Sequence, residues 1–233
     1  EDTEGFKPLA SRQTALLELA AITGVAEHYK SIGFTIQLVN PKNKNAFVVK
    51  TSTRGYPWNF SRILAEKGGK KVELHMNLMV QSAHDDGTYC LDVGVCHADR
   101  VPDVAPPNKK KWVRLKNNDL ITFAEAKKLV IYPMLLAHFI GIVHEIKPEF
   151  LRFSRRRNFP HPSPILISLG YFSGNSNKIV KAYKKRKISV IIAENYDMRL
   201  SNVRMGKVAS PFENILGQPR TKKQLVSTEE DLF

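Results

Sequence analysis

The stretch ITFAEAKKL, residues 121–129, sets a Glu and a Lys into an apolar run. Ile121 and Phe123 before the pair, and Leu129, Val130 and Ile131 after it, have the character of core, so Glu125 and Lys127 need a reason to be there. Residues two apart on a strand point to the same face. A carboxylate and an ammonium side by side on a sheet are either a salt bridge at a strand end or half of a catalytic site. The flanking sequence has to decide.

Working outward, DLITFAEAKKL reads as a strand, and IYPMLLAHFIGIVHEI (131–146) reads as an apolar helix with Pro133 in its first turn. ILISLG (165–170) is a buried strand, followed by a helix that ends in the basic run KAYKKRK, and ISVIIA (188–193) is another buried strand. Upstream, VELHMNLMVQS (72–82) alternates, with Val72, Leu74, Met76, Leu78 and Val80 on one face and Glu73, His75, Asn77 and Gln81 on a face read as solvated. AHDDG turns the chain into TYCLDVGVC (88–96), the return strand. Residues 11–32 have helical spacing, with Ser11 as N-cap and Gly33 as the stop. FTIQLV (34–39) and AFVVKT (46–51) read as two strands around a turn, 53–64 as a loop, and the Pro-rich basic stretch 97–118 as a surface excursion. Periodicity fades from Glu194 onward, and the last ~15 residues read as a mobile tail. The expectation is an α/β fold, a mixed central sheet flanked by helices, in one domain over 1–193 with an extension over 194–233.

Composition bounds the function. The chain has 233 residues, 42% hydrophobic and 25% charged, the balance of a globular protein. The apolar segment 130–143 is interrupted by Tyr132, Pro133, His138 and Gly141, and is too short for a membrane span of ~20 residues. No secretory leader is expected from the opening EDTEGFKPLA. Cys90 and Cys96 on one strand would lie ~20 Å apart, too far for a disulfide. They are expected as free thiols in a reducing, cytoplasmic setting, without a zinc motif. Lys plus Arg number 36 against 22 acidic residues, a formal charge of +14, which favours a polyanionic partner and above all nucleic acid. No GK[ST] phosphate loop is present, so no NTPase engine is expected.

Asp92 sits inside the apolar run 89–95, with Glu125 and Lys127 in the next strand. If the two strands are neighbours, the three side chains converge. An Asp in such a run needs a cation beside it, and two carboxylates together are best reconciled by a divalent ion. Oxygen ligands suit Mg²⁺, with Mn²⁺ as a substitute. Such an ion lowers the pKa of bound water and polarises a phosphoryl oxygen, and Lys127 could orient or deprotonate that water or stabilise charge on the phosphate.

An Asp in one strand, Glu-Ala-Lys in the next, then an apolar helix and a buried strand, resembles the PD-(D/E)xK nuclease superfamily, over roughly residues 11–193. Leu91 stands where that pattern often has Pro. The resemblance implies a restriction-endonuclease-like core of helix, three-stranded meander, helix and strand. It also implies metal ligation by Asp92 and Glu125, and Lys127 as the catalytic lysine. Glu18 or Glu27, in the first helix, would be a further ligand. It favours DNA over RNA, in restriction, phage defence or repair. A separate recognition or motor subunit, or a second copy of the chain, fits a short chain with no helix-turn-helix or zinc module of its own.

Nucleic-acid contacts are expected from Arg54, Trp58 and Arg62, where aromatics alternate with arginines. The other basic runs are Lys109, Lys110 and Lys111, then Arg155, Arg156 and Arg157, then Lys184 and Lys185. The alternative is a non-catalytic nucleic-acid-binding or assembly subunit that keeps the fold and the basic surface.

Overall fold

The computed structural model describes residues 6–42, 44–105, 114–152 and 161–196. It is an α/β structure built on a seven-stranded mixed sheet whose strands lie side by side in chain order. Helix α1 (Phe6–Ser31) leads into β1 (Thr35–Val39), β2 (Arg62–Lys67), β3 (Lys70–Gln81), β4 (Thr88–His97) and β5 (Leu120–Lys127). Then come α2 (Pro133–Ile146), β6 (Ile165–Ser168), α3 (Gly174–Lys185) and β7 (Ile191–Ala193). The first five strands pair antiparallel. The crossovers through α2 and α3 make β5, β6 and β7 parallel.

The sheet separates two apolar clusters. Alternate residues of β6 feed opposite ones: Ile165 and Ile167 pack with Leu17, Ile22, Val25 and Tyr29 of α1, while Leu166 packs with Leu136, Phe139 and Val143 of α2 and with Val180 and Tyr183 of α3. An unbroken ILIS run is what a parallel strand covered on both faces requires. α1 ends in a Schellman cap, where the Phe34 amide donates to the Tyr29 carbonyl and the Gly33 amide to Lys30. Gly33 takes the φ of +89° that such a stop needs.

Several expectations are corrected. α1 starts at Phe6, so Ser11 lies inside the helix and is not its N-cap. Residues 46–51 form no strand, and β1 instead pairs with β2, which starts inside the region read as loop. That region also holds a short 3-10 turn, Pro57–Asn59. The 97–118 excursion is not wholly on the surface: Val101 and Leu115 are buried, and Leu115 bridges to Val80 of β3. The chain keeps to the sheet beyond Ala193, because the Asn195 and Tyr196 amides donate to the Gly170 and Ser168 carbonyls. The tail read over the last residues lies outside the described residues.

The most consequential correction concerns β3. Val72, Leu74 and Met76 face the α1 cluster, but Leu78 and Val80 face the α2–α3 cluster, although all five share one parity. The switch falls at Asn77, whose φ is +47°. A left-handed residue breaks the pleat and reverses which side the following side chains take. β4 switches at the facing position, with Leu91 in one cluster and Val93 in the other. The residue between them is Asp92. Nor is the polar side of β3 solvated, since Glu73, His75 and Asn77 are all buried.

Candidate functional site

The β4–β5 ladder ends at Val93 opposite Ala124, while β5 continues alongside β6 from Ala124 to Lys127. β4 and β5 therefore part where Asp92 and Glu125 stand. Inside this fork the Lys127 Nζ donates to Asp92 Oδ2 at 2.8 Å and to Glu125 Oε2 at 2.9 Å. The Ala126 amide, freed from the ladder, donates to the same Asp92 oxygen at 2.8 Å. The side chain thus replaces a strand partner, as a buried amide requires. The Asp92 amide reaches Glu125 Oε1 at a long 3.5 Å.

The three side chains expected to converge do so, and the structure adds a fourth group. Glu18, on α1, is 7% exposed and lies close enough to Asp92 and Lys127 to interact electrostatically with both. Glu27, the other helix candidate, instead faces Lys30 at 3.8 Å. Glu125 is buried at 4% exposure, and burial, reinforced by Asp92 and opposed by Lys127, pushes its carboxyl up to about 7. Glu18 is likewise held above the ordinary carboxylate value, by burial first, with the Asn77 hydrogen bond working against it. Burial pulls Lys127 down, but Glu125 and Asp92 outweigh it, and the ammonium is held above the ordinary lysine range. With three carboxylates against one ammonium, the full ionisation of the fork leaves it two negative charges in excess.

Residues that the sequence did not single out support this arrangement. Asn77 Nδ2 donates to Glu18 Oε2 at 2.8 Å and to the Lys50 carbonyl at 2.8 Å. Lys50, 4% exposed, donates from Nζ to the Asn77 carbonyl at 2.7 Å. The only signal for Asn77 was an amide on an alternating strand; for Lys50 there was none. Gly170 gives the fork's rim its shape, because a Cβ there would come within 2.6 Å of the Leu129 carbonyl oxygen.

The expected nucleic-acid contacts divide. Arg54 is exposed. Trp58 is half-buried and stacks on Tyr56, with ring centroids 4.5 Å apart and planes 7° from parallel. Arg62 is not a free phosphate ligand, since its guanidinium bonds Glu73 at 3.1 Å and Asp103 at 2.6 Å. Lys184 and Lys185 are exposed at the end of α3, with Lys178 and Lys181 exposed on the preceding turns. Lys109, Lys110, Lys111, Arg155, Arg156 and Arg157 lie outside the described residues. His97 ends β4 at the opposite end of the β4–β5 ladder from the fork, with Asp99 beyond it.

Among the described residues, two groups bring three metal-ligand atoms all within 4.8 Å of one another, Glu73 with His75 and Cys96, and His84 with His144 and Glu145, whereas the three carboxylates of the fork do not come that close together. In the first, the Glu73 oxygens are already engaged by Arg62 and His75. In the second, exposed His144 leans on Glu145, and exposed His84 bonds the His144 carbonyl. Both cysteines are free thiols, and burial pushes Cys90 up to about 11. No described helix is long and apolar enough to cross a membrane.

No family model, no curated protein and no solved structure matches the chain.

Proposed function

We propose that the chain is a divalent-cation-dependent nuclease with a restriction-endonuclease-like core, acting on DNA in preference to RNA. The observation that carries this reading is the fork, where Lys127 bridges Asp92 and Glu125 at the point where two strands separate, with the buried Glu18 near enough for its charge to act on Asp92 and Lys127. A purely structural ion pair needs one carboxylate for each ammonium. Here the excess is two once all three carboxyls are ionised, the charge of one Mg²⁺ or Mn²⁺. The donor set is also right for such an ion, being all hard oxygen. The order of α1, the antiparallel β3–β5 meander, α2 and parallel β6 is the one that the PD-(D/E)xK resemblance implies.

Asp92 and Glu125 would hold the ion, with Glu18 completing the set, and the ion would supply Lewis-acid polarisation of a phosphoryl oxygen. Lys127 bridges the two carboxylates, so an ion held by both would have to displace its ammonium from at least one of them. Lys127, beside both carboxylates, would orient the attacking water or stabilise charge on the phosphate. Arg54, Trp58 and the exposed lysines of α3 would hold the sugar–phosphate chain, the aromatic by stacking and the cations by charge.

The test is cleavage of plasmid DNA with Mg²⁺ or Mn²⁺ against EDTA, by wild type, Lys127→Met and Asp92→Asn. Metal-dependent cutting by wild type and loss in both variants supports the reading. Equal cutting by all three refutes it. Salt-sensitive binding without cutting by any of them favours the non-catalytic binding subunit.

A further inference from the structure

We infer that Asn77 is a positioning residue that holds Glu18 at the fork and ties the 46–61 segment, with its aromatic and arginine side chains, to the same point. This rests on the cation-dependent reading of the fork.

The hydrogen bonds define the joint. Both protons of the Asn77 amide are used, one on Glu18 and one on the Lys50 carbonyl, each at 2.8 Å. The Asn77 main-chain carbonyl accepts the Lys50 ammonium at 2.7 Å, and its Oδ1 lies 3.8 Å from the Cys90 sulfur. One residue of β3 thereby joins α1, β4 and the segment that runs from Lys50 into Arg54, Tyr56 and Trp58. All three partners of the joint are buried, with Glu18 and Asn77 at 7% exposure and Lys50 at 4%. Water does not substitute readily for these bonds.

Backbone and chemistry together select the residue. Position 77 has φ of +47° and faces Asp92, between the pairs Met76–Val93 and Leu78–Leu91. Gly, Asn and Asp are the types that tolerate this conformation. Gly would leave a Glu18 oxygen and the Lys50 carbonyl without their donor. Asp could donate to neither and would set a second carboxylate against Glu18. Asn meets all three demands. Lys50 is anchored from the other side by the Phe60 ring, 5.9 Å from its ammonium. A strand gripped by the 54–60 loop and a cation at the fork therefore meet through one side chain.

The experiment is calorimetric titration of Mn²⁺ into the full chain, for wild type, Asn77→Gly, Asn77→Asp, Glu18→Gln and the double variant Asn77→Gly/Glu18→Gln. Asn77→Gly keeps the left-handed backbone and removes only the amide. It is expected to weaken Mn²⁺ binding about tenfold, the loss that follows removal of a group orienting a metal ligand. The double variant is expected to bind no more weakly than Glu18→Gln alone, because Asn77 acts through Glu18. A residue that served only the fold would not show that coupling. Asn77→Asp keeps the shape and is expected to lose at least as much, which covers a Gly variant that fails to fold. Wild-type affinity in Asn77→Gly, or independent losses in the double variant, overturns the inference alone. A wild-type chain that takes up no Mn²⁺ overturns the cation-dependent reading and this inference with it.

Discussion

Replacing Glu125 by Gln removes a charge that the fold holds at a cost, and the cost depends on pH. The carboxyl has an ordinary value of 4.5 and is pushed up to about 7 in the folded protein, by burial and by Asp92. Its folded value is raised, so the folded state binds the extra proton between these two values. Stability relative to a neutral residue is therefore complete below about 4.5 and is lost as pH rises through about 7. From the two values, the ionised side chain costs about 3 kcal/mol at pH 8 and under about 1 kcal/mol at pH 5. Glu125→Gln is isosteric, so in EDTA it should gain about 2–3 kcal/mol over wild type on going from pH 5 to pH 8. Urea denaturation of both proteins at the two pH values measures this, with the slopes checked for equality. The same pH-dependence for both proteins, or a Gln variant relatively weaker at pH 8, would refute the assignment of Glu125 as a carboxyl whose pKa its surroundings raise.

Removing Arg62 tests its burial, since Arg62→Met leaves Glu73 without its cation and should cost about 3 kcal/mol in urea denaturation. The same variant should leave the salt dependence of DNA binding unchanged, because the guanidinium is spent on Glu73 and Asp103. Lys184→Ala and Lys185→Ala should each flatten the slope of log affinity against log salt by about 0.9 if the residue meets a phosphate, as read from fluorescence anisotropy. Gly170→Ala puts a methyl group against the backbone of Leu129 and Val130. Overpacking of that kind costs about 1–3 kcal/mol, and cleavage should fall with it because Lys127 lies two residues before the displaced segment. Unchanged stability in Gly170→Ala would show that the rim is free to shift.

What was legible in the sequence was what local pattern encodes. The apolar runs around Asp92 and Glu125 marked β4 and β5, the unbroken ILIS marked a strand covered on both faces, and the period of two put Glu125 and Lys127 on one side. Convergence of Asp92 with that pair followed from their being neighbours. The failures have one physical origin, which is that pairing and backbone sign are not written in hydrophobic period. FTIQLV and AFVVKT have equal strand character, yet only the first finds a partner, and that partner is RILAEK, hidden behind three aromatics. The alternation from Val72 to Val80 is regular, yet the left-handed Asn77 divides it between two clusters. Buried Glu73, His75 and Asn77 looked like a wet face because each one's partner is remote in sequence or adjoins it across the polar side of the strand: Arg62 for Glu73, Glu73 for His75, Glu18 and Lys50 for Asn77. Glu18 could be named only as one of two helix candidates, and the choice between them required the packing of α1 on the sheet.

The most direct measurement is a crystal of the full chain soaked in Mn²⁺, with the ion located from its anomalous signal. The proposed chemistry predicts one peak in the fork, within about 2.0–2.4 Å of an oxygen of Asp92 and of Glu125, with the Lys127 ammonium moved off at least one of them. A fork still closed by Lys127 on both carboxylates, with manganese only on His84, His144 and Glu145, would contradict it.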